Sequence, residues 1–382
     1  MSGGFAEMLR DIERRGSARL GAKLPSWAGL DIEVPSSLNF QQCSGESAAR
    51  YKASLVPSGS RVADLTGGLG VDSWAFAQRA SAVWYNERDV ALKAAVERNF
   101  GVLGLSNVSF NSFDISPESR GWQEALKEFA PDLIYLDPAR RDAAGRKVFL
   151  LEECSPDVLA LMPVLLNLAP TVMVKVSPMA DITMLRRRLE GMLSELHVVG
   201  ADGECKELLC ICGGASYSGP MPEEAQARIV LAEDGAVYSG SCCKGSPGIA
   251  PTPLSPKFYG TAEQHPGCTE EEALLFVPSA AMVKSGLGPG LCLMEYDKEL
   301  SHFGKFWQVI ENLPFASSAI KSVGRRYPQA EVTARGVQLS SEQLRAKIKT
   351  KPGGSVHIFA CVLYGQRRLL ICKQVPCPEQ MV

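Results

Sequence analysis

The chain has 382 residues, of which 46% are hydrophobic and 21% charged, and a formal net charge of −2. This is an ordinary soluble composition with ample core for two or three domains. The longest apolar run, 158–169, contains Pro163 and is too short to cross a bilayer, so a cytoplasmic protein without a signal peptide is expected.

Twelve cysteines in a chain of this size do not read as a disulfide framework. The densest group, Cys205, Cys210 and Cys212, falls in a segment patterned as a buried strand, so no metal site is expected. The net charge hides an asymmetry. From 301 to 382 there are twelve Lys and Arg against four Asp and Glu, a net of +8, which leaves −10 for the first 300 residues. A basic module joined to an acidic one suggests a polyanionic partner, with RNA the natural candidate.

Residues 1 to about 38 read as helical and then irregular, with Pro25 and Pro35 as breakers. Ser44 suits the cap of a helix that begins near Gly45 and carries Ala48, Ala49 and Tyr51. The stretch from Arg61 to Asp72 then organises the chain. A short apolar run ends in Asp64, a cluster of Gly67, Gly68 and Gly70 follows, and a helix is expected over 72–79. Strand, tight turn and helix start form a cradle for a nucleotide-like ligand in a doubly wound sheet. The dinucleotide fingerprint G-x-G-x-x-G is not met, because its third glycine falls on Ser73.

A second strand, 82–87, ends in Glu87, which lies 23 residues beyond Asp64. An acid at that distance is placed to hold both ribose hydroxyls of a nucleoside. A third strand, 108–114, ends in Asp114, an acceptor for an adenine amino group, with Phe113 against the ring. The fourth strand, 133–137, delivers Asp137-Pro138 to the same edge, followed by Arg140 and Arg141. Pro138 stiffens that turn, which suits the alignment of a nucleophilic amine. The arginines suit a phosphate or a base edge.

A helix at 158–169, a fifth strand at 171–176, and a hairpin of 196–200 with 206–212 complete a seven-stranded sheet. Strands are also expected at 227–232, 274–277 and 291–296, within a small α+β module. The tail reads as an apolar run from 303 to 314, a basic helix at 318–327, a strand at 330–339, a basic helix at 343–349 and two strands at 356–364 and 368–372.

These residues carry a resemblance. The segment from Gln42 to Lys52, the Asp64-Leu65-Thr66-Gly67-Gly68 motif, Glu87, Asp114 and Asp137-Pro138 resemble a bacterial group of class I S-adenosylmethionine (SAM) methyltransferases. Members carry a C-terminal THUMP-like domain preceded by a small ferredoxin-like insert. Leu313-Pro314-Phe315, Arg335-Gly336, Leu344-Arg345 and Pro352-Gly353-Gly354 match that tail.

The resemblance implies an α/β chain. A 1–50 helical segment precedes a Rossmann-like seven-stranded class I sheet at 51–217. A ferredoxin-like module at 218–300 and a THUMP-like domain at 301–382 follow. It implies SAM as cofactor and RNA, tRNA or rRNA, as substrate class. The expected cofactor set is Asp64, Thr66, Gly67, Gly68, Gly70, Glu87, Arg88 and Asp114. The expected catalytic set is Asp137, Pro138 and Arg140. Arg325, Arg326, Arg345, Lys347 and Lys349 are expected to grip RNA backbone.

The catalytic part is also similar to trimethylguanosine-synthase-type enzymes, but Pro138-Ala139-Arg140 stands where they have P-P-W. It is similar too to uracil-C5 methyltransferases, which need a cysteine after the fifth strand. Lys175-Val176-Ser177-Pro178 has none, so direct transfer to an exocyclic amine is expected, with no covalent intermediate. Two alternatives remain: a non-catalytic module that binds SAM and RNA, and a methyltransferase acting on a protein or small molecule.

Overall fold

The computed structural model describes residues 19–139, 151–213, 228–241 and 274–375. The chain divides into two compact units. The first comprises residues 1–201 and 206–235, the second 202–205 and 236–382.

The first unit opens with two short helices, α1 (Ser37–Gln42) and α2 (Glu46–Ser54). It continues through β1 (Arg61–Asp64), α3 (Val71–Ala77), β2 (Ala82–Asn86), α4 (Val90–Val102), β3 (Val108–Asn111), α5 (Gly121–Phe129) and β4 (Leu133–Leu136). Then come α6 (Val158–Leu168), β5 (Thr171–Val176), α7 (Ile182–Arg188), β6 (Leu193–Ala201), β7 (Glu204–Gly213) and β8 (Arg228–Glu233).

Within the first unit the strand order is β3-β2-β1-β4-β5-β7-β6-β8. The first five strands are parallel, and β7 runs antiparallel to β5. This is the class I methyltransferase sheet. Its order reverses between β1 and β4, so a crevice opens at the carboxyl ends of those two strands, where α/β sheets bind ligands. Both strands are almost wholly buried, as strands covered on two faces must be. Trp27, Trp74, Phe76 and Tyr135 anchor the core beside α2 and α3. Trp27 and Trp74 meet edge to face at 5.9 Å, and Phe76 and Tyr135 at 5.2 Å.

Two boundaries differ from expectation. The strand expected at 227–232 is β8, and it pairs in parallel with β6, from Glu195↔Arg228 to Gly200↔Glu233. It therefore extends the first sheet instead of opening a separate module. The strand expected at 108–114 stops at Asn111, because the next residues turn toward Asn86.

In the second unit β9 (Ala236–Ser241) precedes β10 (Leu274–Pro278), α8 (Ala280–Ser285), β11 (Cys292–Met294) and β12 (Gly304–Pro314). There follow α9 (Ser317–Arg326), β13 (Glu331–Ala334), α10 (Ser341–Ile348), β14 (His357–Leu363) and β15 (Gln366–Gln374). Strands expected on either side of residue 300 share one six-stranded sheet, β11-β10-β12-β15-β14-β13, in which β10 pairs antiparallel with β12.

Helices α9 and α10 cover one face of this sheet. Ile320, Val323, Leu344 and Ile348 pack on Val332, Ile358, Leu369 and Ile371. Ser340 and Gln343 form a reciprocal capping box at the start of α10. No helix among the described residues is long and apolar enough to cross a membrane.

Candidate active site

The turn after β1 is held from β2. Gly68 adopts φ +53°, which favours a residue without a Cβ. Its N–H donates to Glu87 Oε2 at 3.0 Å, and its carbonyl accepts from the Tyr85 hydroxyl at 2.6 Å. A Cβ on Gly67 would overlap the Tyr85 ring, and one on Gly70 would lie 2.7 Å from Val96 and 2.8 Å from Phe100. Gly68 differs: the nearest atom to its Cβ position is the Thr66 carbonyl at 4.0 Å. That opening beside a glycine backbone, with a carboxylate at its rim, fits an adenosyl sulfonium.

Asn86 ties the neighbouring loops together. Its amide donates to the carbonyls of Leu65 (3.1 Å) and Phe113 (3.0 Å), and its Oδ1 accepts from Phe113 N at 2.7 Å. The loops after β1 and β3 are thereby fixed by a side chain at the end of β2, to which no sequence motif points. Phe113 stacks on Trp84 at 5.9 Å. Glu87 is partly exposed directly after β2. Arg88 and Asp114 are exposed, Asp114 three residues past the end of β3.

Asp64 does not take the exposed position expected of a cofactor ligand. It is fully buried, and its carboxylate accepts from Thr66 N at 3.1 Å and Ser73 Oγ at 2.6 Å. Both oxygens thus stabilise the turn itself. Burial pushes its pKa up to about 7. The unfolded chain releases this proton near the ordinary carboxylate value, whereas the folded chain keeps it to about pH 7. Stability is therefore lost as pH rises through that window. Thermal midpoints of wild type and Asp64→Asn, compared at pH 5 and pH 8, should move in favour of the asparagine variant at pH 8. A difference independent of pH would show that Asp64 titrates normally.

Asp137 and Pro138 follow β4. Asp137 N donates to Thr66 Oγ1 at 2.6 Å, which joins the Asp-Pro turn to the glycine turn. Pro138 is buried. Arg140 and Arg141 lie outside the described residues.

Beneath these turns sits a buried charge cluster with no local sequence signature. Lys175, on β5, donates to Asp137 Oδ2 at 2.6 Å and to Ser44 Oγ at 3.2 Å, and lies 3.9 Å from Glu207 Oε2. Lys52, on α2, donates to Glu207 Oε1 at 2.5 Å and Ser44 Oγ at 3.0 Å, and stands 3.1 Å from Asp72 Oδ1. Asp72 Oδ2 accepts from Ser44 (2.9 Å) and Tyr135 (2.8 Å).

Ser44 is therefore a hub and not a helix cap; the N-cap of α2 is Gly45. Burial alone would discharge Lys175, but Asp137, Glu207 and Asp72 outweigh it and raise its pKa well above the ordinary lysine value. Burial likewise pushes Asp72 up, yet Lys52 and Lys175 more than offset this and hold it below the usual carboxylate range. A cleft of about 30 Å³ opens beside Asp137, Pro138, Lys175, Ser177 and Glu207.

In the second unit, two of the five expected RNA-binding cations are tied to carboxylates. Arg326 bonds Glu311 at 2.7 Å, and Arg345 bonds Glu331 at 2.8 Å. Arg325, Lys347 and Lys349 are exposed.

The first unit has the class I methyltransferase fold. The tail carries a THUMP-like domain: residues 304–374 match the family model described as THUMP domain-like. Among solved structures, the chain is similar to a protein from Porphyromonas gingivalis W83 provisionally described as a methyltransferase. The identity is 28%, with 94% of this chain and 88% of that one covered, at a TM-score of 0.73. Weaker likenesses include a Pyrococcus horikoshii protein, PH1948, provisionally described as an RNA methyltransferase (14% identity, 50% and 97% covered, TM-score 0.34). Another is a Streptococcus mutans protein provisionally described as a SAM-dependent methyltransferase (15%, 38% and 38%, 0.31). No curated protein matches the chain.

Proposed function

We propose that the chain is a SAM-dependent methyltransferase that modifies an exocyclic amine of a base in structured RNA. The observation that carries this reading is the bond from Asp137 N to Thr66 Oγ1. It sets an acceptor-orienting carboxylate against a glycine turn shaped for a nucleoside. The 28% identical Porphyromonas relative, similar along nearly its whole length, supports the activity class.

In this reading Gly67, Gly68 and Thr66 line the methionine side of the crevice, and Glu87 holds the ribose. Arg88 and Asp114 border the adenine. Asp64 and Gly70 keep the turn in shape. SAM supplies an electrophilic methyl: an N–C bond forms as the S–C bond breaks, the sulfur keeps the electron pair as a thioether, and the amine proton leaves to solvent. The chain's own contribution is alignment. Asp137 Oδ2 is occupied by Lys175, which leaves Oδ1 to accept one N–H of the acceptor, and Pro138 fixes the turn behind it.

A carboxylate already paired with an ammonium has little field left to hold a cation. This favours a neutral base amine over a protein lysine. Arg325, Lys347 and Lys349 give the THUMP-like domain an exposed cationic surface for RNA backbone.

Two measurements test the reading. Calorimetry should show SAM binding that weakens at least about tenfold in Glu87→Ala, the loss of one charge-assisted hydrogen-bonding group. Equal affinity would remove Glu87 from the cofactor site. In the full chain, changing Arg325, Lys347 and Lys349 to alanine should lower the slope of log K against log salt for RNA by about 0.7–0.9 for each phosphate no longer neutralised. An unaltered slope would take this surface out of RNA binding.

A further inference from the structure

We propose that Lys175 is a positioning residue: through its ion pair it fixes the rotamer of Asp137, so that Oδ1 faces the acceptor amine. This rests on the methyltransferase reading above and assigns it a residue that no motif marks.

Three observations carry it. The Lys175 side chain is 12% exposed and that of Asp137 31%, so the pair lies at the mouth of the site, with the carboxylate outermost. The Nζ–Oδ2 distance of 2.6 Å is that of a charge-assisted hydrogen bond. Lys175 is itself held from behind by Ser44 Oγ and by Glu207, and Lys52 binds those same two partners.

Lys175 therefore cannot swing away without breaking a network anchored on α2, β5 and β7. An aspartate has two soft side-chain torsions and, unheld, samples several rotamers. Pinning one oxygen leaves the other a single direction. Because Lys175 and Asp137 both line the small cleft at the ends of β4 and β5, that direction is set where an acceptor would enter. Lys175 acts through Asp137 and need not touch the acceptor.

The test is a cycle of Lys175→Met, Asp137→Ala and the double variant, with Lys175→Arg as the conservative replacement. The assay is transfer of labelled methyl from SAM to total RNA taken from cells lacking the protein. Lys175→Met should lower kcat about 10²-fold, the cost of a misplaced reacting group, while the KM and calorimetric Kd for SAM stay within about threefold. Lys175→Arg should recover part of the rate. The double variant should be no slower than Asp137→Ala, since the lysine has nothing left to position.

A Lys175→Met kcat within threefold of wild type overturns the proposal. So does a double variant slowed by the product of the two single effects. If wild type binds SAM yet labels no RNA, the RNA reading falls, and urea denaturation of the same proteins decides the pair. A midpoint loss in the double variant smaller than the sum of the single losses upholds the coupling. Strict additivity overturns it.

Discussion

Lys52→Met is expected to destabilise the first unit by about 3–5 kcal/mol, the usual cost of leaving buried charge without its partner. Methionine reproduces the apolar stem of lysine but not the ammonium. Lys52 is fully buried, and its Nζ lies between Glu207, Asp72 and Ser44. Without it, three carboxylates share Lys175 alone.

For a unit of this size the loss corresponds to a fall in melting temperature on the order of 10 °C. Removing Glu207's charge as well, in Lys52→Met with Glu207→Gln, should restore part of the loss. Arg50→Ala is the contrast. Arg50 pairs with Glu46 at 2.8 Å, bonds Ser26 at 2.9 Å and lies over the Trp74 ring, but its side chain is 52% exposed, and such exposed contacts together contribute only about 1 kcal/mol. Urea denaturation checks all three. A loss below about 1 kcal/mol for Lys52→Met would mean that water reaches the cluster.

Asp137→Ala is expected to slow methyl transfer roughly 10²-fold, the cost of losing a group that aligns a reactant. SAM affinity should change little, because the bond to Thr66 Oγ1 comes from the backbone N–H of residue 137, which alanine keeps. Steady-state rates on RNA together with calorimetry separate the two effects. A Kd that rises as far as the rate falls would place Asp137 among the cofactor ligands, and an unchanged rate would strike it from the reaction.

Much of the first unit was legible in the sequence because its signals are local. The apolar runs at 61–64, 82–86, 133–136 and 171–176, each followed by a turn, are what a parallel sheet buried on both faces must look like. The 206–212 strand carries the same apolar signal, although it runs antiparallel to β5. The strand at 228–233 is equally apolar, but only its pairing with β6 decides which sheet it joins. The same holds for β10 and β12, which cross the expected boundary at residue 300.

The geometry of the candidate site was readable at the glycine turn, where positive φ and close packing exclude a side chain, and at Glu87, which follows the end of β2. It was not readable at Lys52, Asp72, Lys175 and Glu207. These side chains meet across 20 to 155 residues of sequence, and a lone lysine within an apolar strand carries no hint of its partner. Asp64, expected among the cofactor ligands, is instead a buried acceptor for its own turn. An acid at a strand end looks the same in sequence whether it faces the crevice or, as here, turns back to Thr66 and Ser73.

The bridging amide of Asn86 has a consequence for how tightly a ligand can be held. Because it clamps the loops after β1 and β3 in the folded chain, their ordering entropy is spent during folding and not on association. A nucleoside bound in the crevice would find these two loops already held, so ordering them would not count against its affinity.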